Sequence, residues 1–207
     1  MEKQFIMLEA LISNKFILLS FTFSYLLGSI PFGYILFKYF KSKDIRSYGS
    51  GNIGATNVNR LLGKKVGAIT LFLDFIKVVI PTYVANLYLG SDYGAFCGVC
   101  SILGHIFPIW LKFKGGKGVA TYIGILFSIN ILYGIIFILS WLIIFVIWRF
   151  SSLSSLIATL SIPIFVLLFD DQNSLFFFLI MFILIFYTHR ENIKRLKNKE
   201  ETKTKIY

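Results

Sequence analysis

The chain has 207 residues, of which 57% are apolar and only 15% charged, with a formal net charge of +11 and a mean hydropathy of +0.76. Soluble domains carry about 45–50% apolar and about 25% charged residues, so a soluble domain is excluded. The 23 Phe, 11 Tyr and 3 Trp exclude disorder, and basic residues set between long uncharged apolar runs exclude a nucleic-acid binder. A single-domain, all-α, polytopic membrane protein remains.

A membrane-crossing helix needs about 20 mostly apolar residues. At the amino terminus Glu2 and Glu9 surround a short apolar patch with no small-residue cleavage site after it, which is not signal-peptide grammar. The first predicted span, 16–39, carries Gly28-Ser29-Ile30-Pro31-Phe32-Gly33, which predicts a kink or break. The polar loop after it holds Ser50-Gly51-Asn52-Ile53-Gly54-Ala55-Thr56-Asn57-Val58-Asn59-Arg60. Glycines let a backbone approach a ligand and present N–H groups as an anion nest. Ser50, Thr56 and Asn57 add neutral donors, and Arg60 supplies a rigid fork suited to phosphate. The plainer alternative is a flexible turn with one arginine.

The second predicted span, 66–89, contains Asp74 and Lys77 three residues apart. A charge at mid-bilayer costs roughly 2.5–3.5 kcal/mol, so the two are expected to pair, either as structure alone or to orient a site. The third, 93–111, holds Cys97 and Cys100 in an apolar segment with no second cysteine pair. Buried, inert thiols are expected rather than a redox or zinc motif. His105, three residues before Pro108, reads as a packed polar residue at a kink or as a partner behind a site.

Next comes Phe113-Lys114-Gly115-Gly116-Lys117-Gly118-Val119-Ala120-Thr121, a glycine-rich turn feeding a helix amino terminus, which is a ready anion site. Leu111 stands where a Walker A loop requires its first Gly, so no nucleotide is implied. Residues 118–148 contain no charge. At about 1.5 Å per residue they would reach about 46 Å, too long for one span. A hairpin turning near Asn130–Gly134 gives spans 118–130 and 132–148. Arg149 and the serines of 151–155 follow, then spans 153–169 and 174–189. Seven spans put 18 of the 21 basic residues on one side, so the amino terminus is expected outside and the tail, 190–207, in the cytoplasm. The tail reads as a basic amphipathic extension facing solvent or headgroups. At helical spacing His189 and Asn192 share a face.

Together these segments resemble the bacterial acyl-phosphate–glycerol-3-phosphate acyltransferases, the PlsY family. The resemblance runs over about residues 24–196 and rests most on Ser50–Arg60 and Phe113–Thr121 as a pair. Further matches are Gly28–Pro31, Asp74 with Lys77, Gly104–Pro108, the serines of 152–155 and His189–Leu196. Val78 and Lys199 stand where the family usually has glycine, and the amino terminus is about a dozen residues longer than typical. The resemblance implies a seven-span membrane enzyme with its site on the cytoplasmic face of a bacterial cell membrane. It would move a fatty acyl group from acyl phosphate to the 1-hydroxyl of glycerol 3-phosphate, giving lysophosphatidate and phosphate.

On that reading Ser50, Arg60, Lys117, His189 and Asn192 handle glycerol 3-phosphate. Asn52, Gly54, Thr56, Asn57, the backbone of Gly115, Gly116 and Gly118, and Ser154 or Ser155 hold the acyl-phosphate head, while Asp74, Lys77 and His105 stand behind the site. Positioning and charge stabilisation would supply most of the acceleration. The hydroxyl proton would pass to His189 or, by preference, to an oxygen of the acyl phosphate. No cofactor, no metal and no obligate protein partner is expected. A histidine–aspartate acyltransferase is excluded because Trp110 and Lys194 stand where its aspartate would follow His105 or His189. The rival reading is a transporter of a small phosphate ester or anion, although transporters place binding groups near the midplane and these groups cluster on one face.

Overall fold

The computed structural model describes residues 15–170 and 174–204, all of whose regular structure is helical. The amino-terminal patch around Glu2 and Glu9 lies outside them. Helix α1 covers Lys15–Gly28 and α2 Phe32–Lys41, with Pro31 at the junction. A proline cannot continue the ladder of N–H donors, and the segment breaks where the sequence predicts. Helix α3 (Ala55–Leu62) meets α4 (Lys64–Leu89) at Gly63, whose φ of +85° suits glycine. Helix α5 covers Ser91–Ile106 and is followed by a short 3-10 turn at Ile109–Leu111. Then come α6 (Val119–Ile129), α7 (Ile131–Trp148), α8 (Ser151–Phe169), α9 (Leu175–Thr188) and α10 (Arg190–Lys197).

Helix α4 is central and packs against α5, α6, α1 and α3. Helices approach closely where side chains are absent. A Cβ on Gly28 of α1 would strike the Ser101 carbonyl of α5, and one on Gly104 of α5 would strike the Tyr25 carbonyl of α1. The Ser101 hydroxyl seals this seam by donating to the Ser24 carbonyl at 3.2 Å. A second core joins α5 to α9 through Ile102, Tyr122, Phe137, Ile162, Phe178 and Met181, all buried. Outward faces are apolar as well: Phe72 is 61% exposed, Val146 68% and Leu168 64%. Such faces are matched to lipid rather than water.

Among the described residues, five helical segments are long and apolar enough to cross a membrane: Lys15–Lys41, Lys64–Leu89, Ser91–Leu111, Ile131–Trp148 and Ser151–Phe169. The pair α9 and α10, bent by 59°, makes a sixth if the two form one broken span. The chain reverses at Asn130, which caps α7 by accepting from Leu132 N–H at 2.9 Å, and Tyr122 meets Phe137 across the turn at 5.7 Å between ring centroids. The predicted hairpin is therefore present. Its first arm differs from a full span: α6 has 11 residues, about 16 Å of helix against a hydrocarbon core of about 30 Å. Both cysteines are free.

Candidate active site

A cavity of about 990 Å³ opens where the first polar loop, the glycine-rich loop, the start of α8 and the α9–α10 junction meet. Ser50, Asn52, Gly54, Thr56, Asn57, Arg60, Lys117, Gly118, Ser155, His189 and Asn192 all line it. Residues from four distant stretches thus share one wall.

The first loop is built around Asn57. Its side-chain oxygen accepts from Ser50 N–H at 3.0 Å, while its amide donates to the Tyr48 carbonyl at 3.1 Å and the Asn52 carbonyl at 2.8 Å. Asn52 in turn accepts from Gly54 N–H at 2.8 Å. The amide of Asn57 is consumed in shaping the loop, leaving Ser50 and Thr56 exposed at the cavity. Arg60 lies one turn along α3, and among the described residues no carboxylate pairs with it. Arg46 ties this loop to the next by donating to the Leu111 carbonyl at 3.2 Å. Its partner Asp44 sits below the usual carboxylate range, chiefly through the hydrogen bond from Arg46.

The glycine-rich loop is held differently from the anion nest expected of it. Gly115 N–H donates to the Ile106 carbonyl and Gly116 N–H to the His105 carbonyl, each at 3.0 Å. Those two donors cap the end of α5 and are not free for a ligand, and neither residue lines the cavity. Their lack of side chains is needed for packing, since a Cβ at either would strike His105. Gly118 does reach the cavity, with φ of +89° at the start of α6. Lys117 is fixed from two sides: its ammonium donates to Asn192 Oδ1, and its carbonyl accepts from the Thr188 hydroxyl at 3.0 Å. Burial pushes the Lys117 ammonium down to about 8, assisted by the nearby charges of Arg195 and Arg60 and opposed by Glu201.

His189 is buried and faces the cavity. Its Nδ1 lies 2.8 Å from the Ile185 carbonyl. A carbonyl only accepts, so Nδ1 carries the proton and Nε2 of the neutral ring is left as an acceptor. Of the serines, Ser155 lines the cavity and accepts from Trp141 Nε1 at 3.1 Å. Ser154 donates to the Phe150 carbonyl at 2.9 Å and is not among the lining residues.

The tail departs from the solvated extension expected of it. Lys199 adopts φ of +60°, a left-handed turn that brings Glu201 back to the site. The Glu201 carboxylate accepts from Ser152 at 2.6 Å, Asn192 at 2.7 Å and Arg195 at 2.7 Å. Thr204 N–H closes the strap on the Arg149 carbonyl at 2.9 Å. Burial raises the Glu201 pKa, but the hydrogen bonds from Ser152, Asn192 and Arg195 outweigh it and hold the carboxyl below its ordinary value. Glu201 escaped sequence reasoning because its partners lie up to 49 residues away. The only signal was Lys199 at a position where the similar family has glycine.

The cavity also has an apolar lining, formed by Leu71 of α4, Ile123 of α6 and Phe137, Ile138, Trp141, Leu142 and Phe145 of α7. The α7 residues recur at helical spacing, one face over two turns. Behind the glycine-rich loop lies the expected pair: Lys77 donates to Asp74 at 2.7 Å, to the Ile30 carbonyl at the break at 2.7 Å, and contacts His105 Nδ1 at 3.0 Å. The arrangement offers cations and neutral donors together with an apolar wall that suits a hydrocarbon chain.

Comparison with known proteins agrees with that chemistry. The profile of a family described as glycerol-3-phosphate acyltransferase matches residues 18–199. A glycerol-3-phosphate acyltransferase of Pelagibacter ubique (strain HTCC1062) is 62% identical over 185 residues, 89% of this chain and 95% of its own. One from Bradyrhizobium diazoefficiens is 44% identical over 190 residues, 92% of this chain and 96% of its own. Among solved structures, PlsY, an integral membrane glycerol 3-phosphate acyltransferase, superposes in its glycerol 3-phosphate form with a TM-score of 0.86 at 43% identity, covering 91% of this chain and 96% of that one. Its lysophosphatidic acid form gives a TM-score of 0.84 at 42% identity, covering 91% and 95%. These likenesses set aside the transporter reading. The chain belongs to the PlsY family of integral membrane glycerol-3-phosphate acyltransferases.

Proposed function

We propose that the acyl donor is acyl phosphate, that the acyl group goes to the 1-hydroxyl of glycerol 3-phosphate, and that the products are lysophosphatidate and inorganic phosphate. The observation that carries this is one cavity lined both by the cations Arg60 and Lys117 and by an apolar face of α7. A dianion and a phosphate-headed lipid meet there without either leaving its preferred surroundings. Arg60, Lys117, Ser50 and Asn192 bind glycerol 3-phosphate. Thr56, Gly118 and Ser155 face the phosphate of the donor. Two neighbouring anions repel, and fixed cations between them offset that cost.

Acyl phosphate carries its own good leaving group. The hydroxyl oxygen bonds to the carbonyl carbon, the carbon–oxygen bond to phosphate breaks, and the hydroxyl proton leaves on that phosphate. His189 orients glycerol 3-phosphate by accepting through Nε2 from its other hydroxyl, the one that does not attack, and stays neutral. Replacing His189 by Ala is expected to raise KM for glycerol 3-phosphate more than it lowers kcat. A collapse of kcat at unchanged KM would instead make His189 the base. For the membrane, we propose seven crossings with α6 as a short one, the amino terminus outside and the site facing the cytoplasm of a bacterial cell membrane. Purified protein in detergent, given palmitoyl phosphate and labelled glycerol 3-phosphate, is expected to yield lysophosphatidate without ATP, coenzyme A or added metal. Activity with palmitoyl coenzyme A and none with palmitoyl phosphate would overturn the donor.

A further inference from the structure

Lys77 carries an ammonium group with three protons and no lone pair. It has three acceptors: Asp74 Oδ1 at 2.7 Å, the Ile30 carbonyl at 2.7 Å and His105 Nδ1 at 3.0 Å. A neutral amine would leave the buried Asp74 carboxylate without its counter-charge, which is the costlier state. His105 Nδ1 is therefore an acceptor, and a proton placed on it would face the ammonium. The ring is held neutral with its single proton on Nε2.

That Nε2–H finds no acceptor among the described residues. His105 is buried yet lines the cavity. Gly116 packs against the ring so closely that a Cβ there would strike Nε2, so any side chain at that position would cover the N–H. Asp74 lines the cavity beside it. Its charge is countered by Lys77 at 2.7 Å, so the pair leaves no net positive charge there to hold a phosphate dianion. A carbonyl oxygen, neutral until it is attacked, fits the position.

We infer that His105 is a further catalytic residue, whose Nε2–H donates to the carbonyl oxygen of the acyl donor and stabilises the charge that develops there. As the glycerol 3-phosphate hydroxyl adds, the carbonyl π electrons move onto that oxygen. They return when the bond to phosphate breaks, and His105 gives up no proton. Lys77 and Asp74 are positioning residues that fix the tautomer. The inference rests on the acyl donor lying in this cavity, as proposed above.

Two measurements test it: kinetics with palmitoyl phosphate, and nitrogen NMR of 15N-histidine protein in detergent. His105→Phe is expected to lower kcat about 10²-fold or more, the usual loss for an oxyanion donor, with KM for glycerol 3-phosphate unchanged. His105→Gln, whose amide N–H extends toward the Nε2 position, is expected to recover part of that loss. In the unsubstituted protein His105 should show an acceptor-type Nδ1 and a protonated Nε2. The Nε2 signal should shift on adding palmitoyl phosphonate, which keeps the carbonyl but cannot transfer it. A raised KM for glycerol 3-phosphate with kcat intact would mean that His105 only supports the loop, and would overturn the inference. A proton on Nδ1, or an Nε2 signal indifferent to the phosphonate in protein that turns over palmitoyl phosphate, would do the same. Should the Phe variant fail to fold, the NMR result on the unsubstituted protein decides. Failure of that protein to use palmitoyl phosphate at all would reject the donor and this inference together.

Discussion

Lys117 holds its charge by a narrow margin. Burial and two neighbouring cations hold its pKa to about 8, so it is cationic below that pH and neutral above it. Binding of a phosphate dianion favours the charged form. Thus kcat/KM for glycerol 3-phosphate is expected to fall as pH rises through about 8, with the alkaline limb of kcat displaced to higher pH. Lys117→Arg, which keeps its charge throughout, should flatten the limb. A limb of unchanged position in that variant would assign it to another group. Residue identity was the part of this site most legible in the sequence: Ser50, Arg60, Lys117, His189 and Asn192 meet in one cavity. What each polar atom does was not legible. Asn57 spends its amide on the loop, and Gly115 and Gly116 spend their N–H groups on α5. Those partners are set by three-dimensional closure that no local pattern records.

At the scale of elements, the break between α1 and α2 and the turn at Asn130 could be read directly, because proline, glycine and a polar residue in an apolar run act locally. The bounds of α6 could be read too, 118–130 from the sequence against Val119–Ile129 in the structure, because Gly118 and Asn130 punctuate the uncharged stretch. The return of the tail could not, since it depends on one left-handed residue, Lys199, and on partners in α8 and α10. The strap itself is testable. Glu201→Ala leaves Ser152, Asn192 and Arg195 without their common acceptor, and hydrogen bonds to a charged group are each worth about 1.5–3 kcal/mol. A lowered midpoint of thermal unfolding in detergent is expected, with a raised KM for glycerol 3-phosphate because Asn192 also holds Lys117. An unchanged midpoint would mean that the strap does not hold the folded state. The seam between α1 and α5 is equally specific. Gly28→Val pushes a branched side chain against the Ser101 carbonyl and should destabilise by more than the helix propensity gained, whereas the same change at Gly90, which has nothing within 4 Å, strains only its φ of +100°.

Considered as a whole molecule, the protein places its polar rim at one end of the helix bundle and meets lipid over most of its flank. If the tail lies in the cytoplasm, a cysteine substituted for Lys203 in intact cells will react with a membrane-permeant maleimide and not with an impermeant one. Equal labelling by both would reverse the orientation. One further property follows from α7. Ile138, Leu142 and Leu71 line the cavity and are 39%, 45% and 48% exposed. If that exposure opens sideways onto the acyl region of the leaflet, a fatty chain slides in edgewise while its head stays at the interface. The concentration the enzyme senses is then the mole fraction of donor within the bilayer or micelle, not its amount per volume of solution. Diluting the donor with inert detergent at constant bulk concentration should slow turnover, while the aqueous acceptor obeys ordinary bulk saturation.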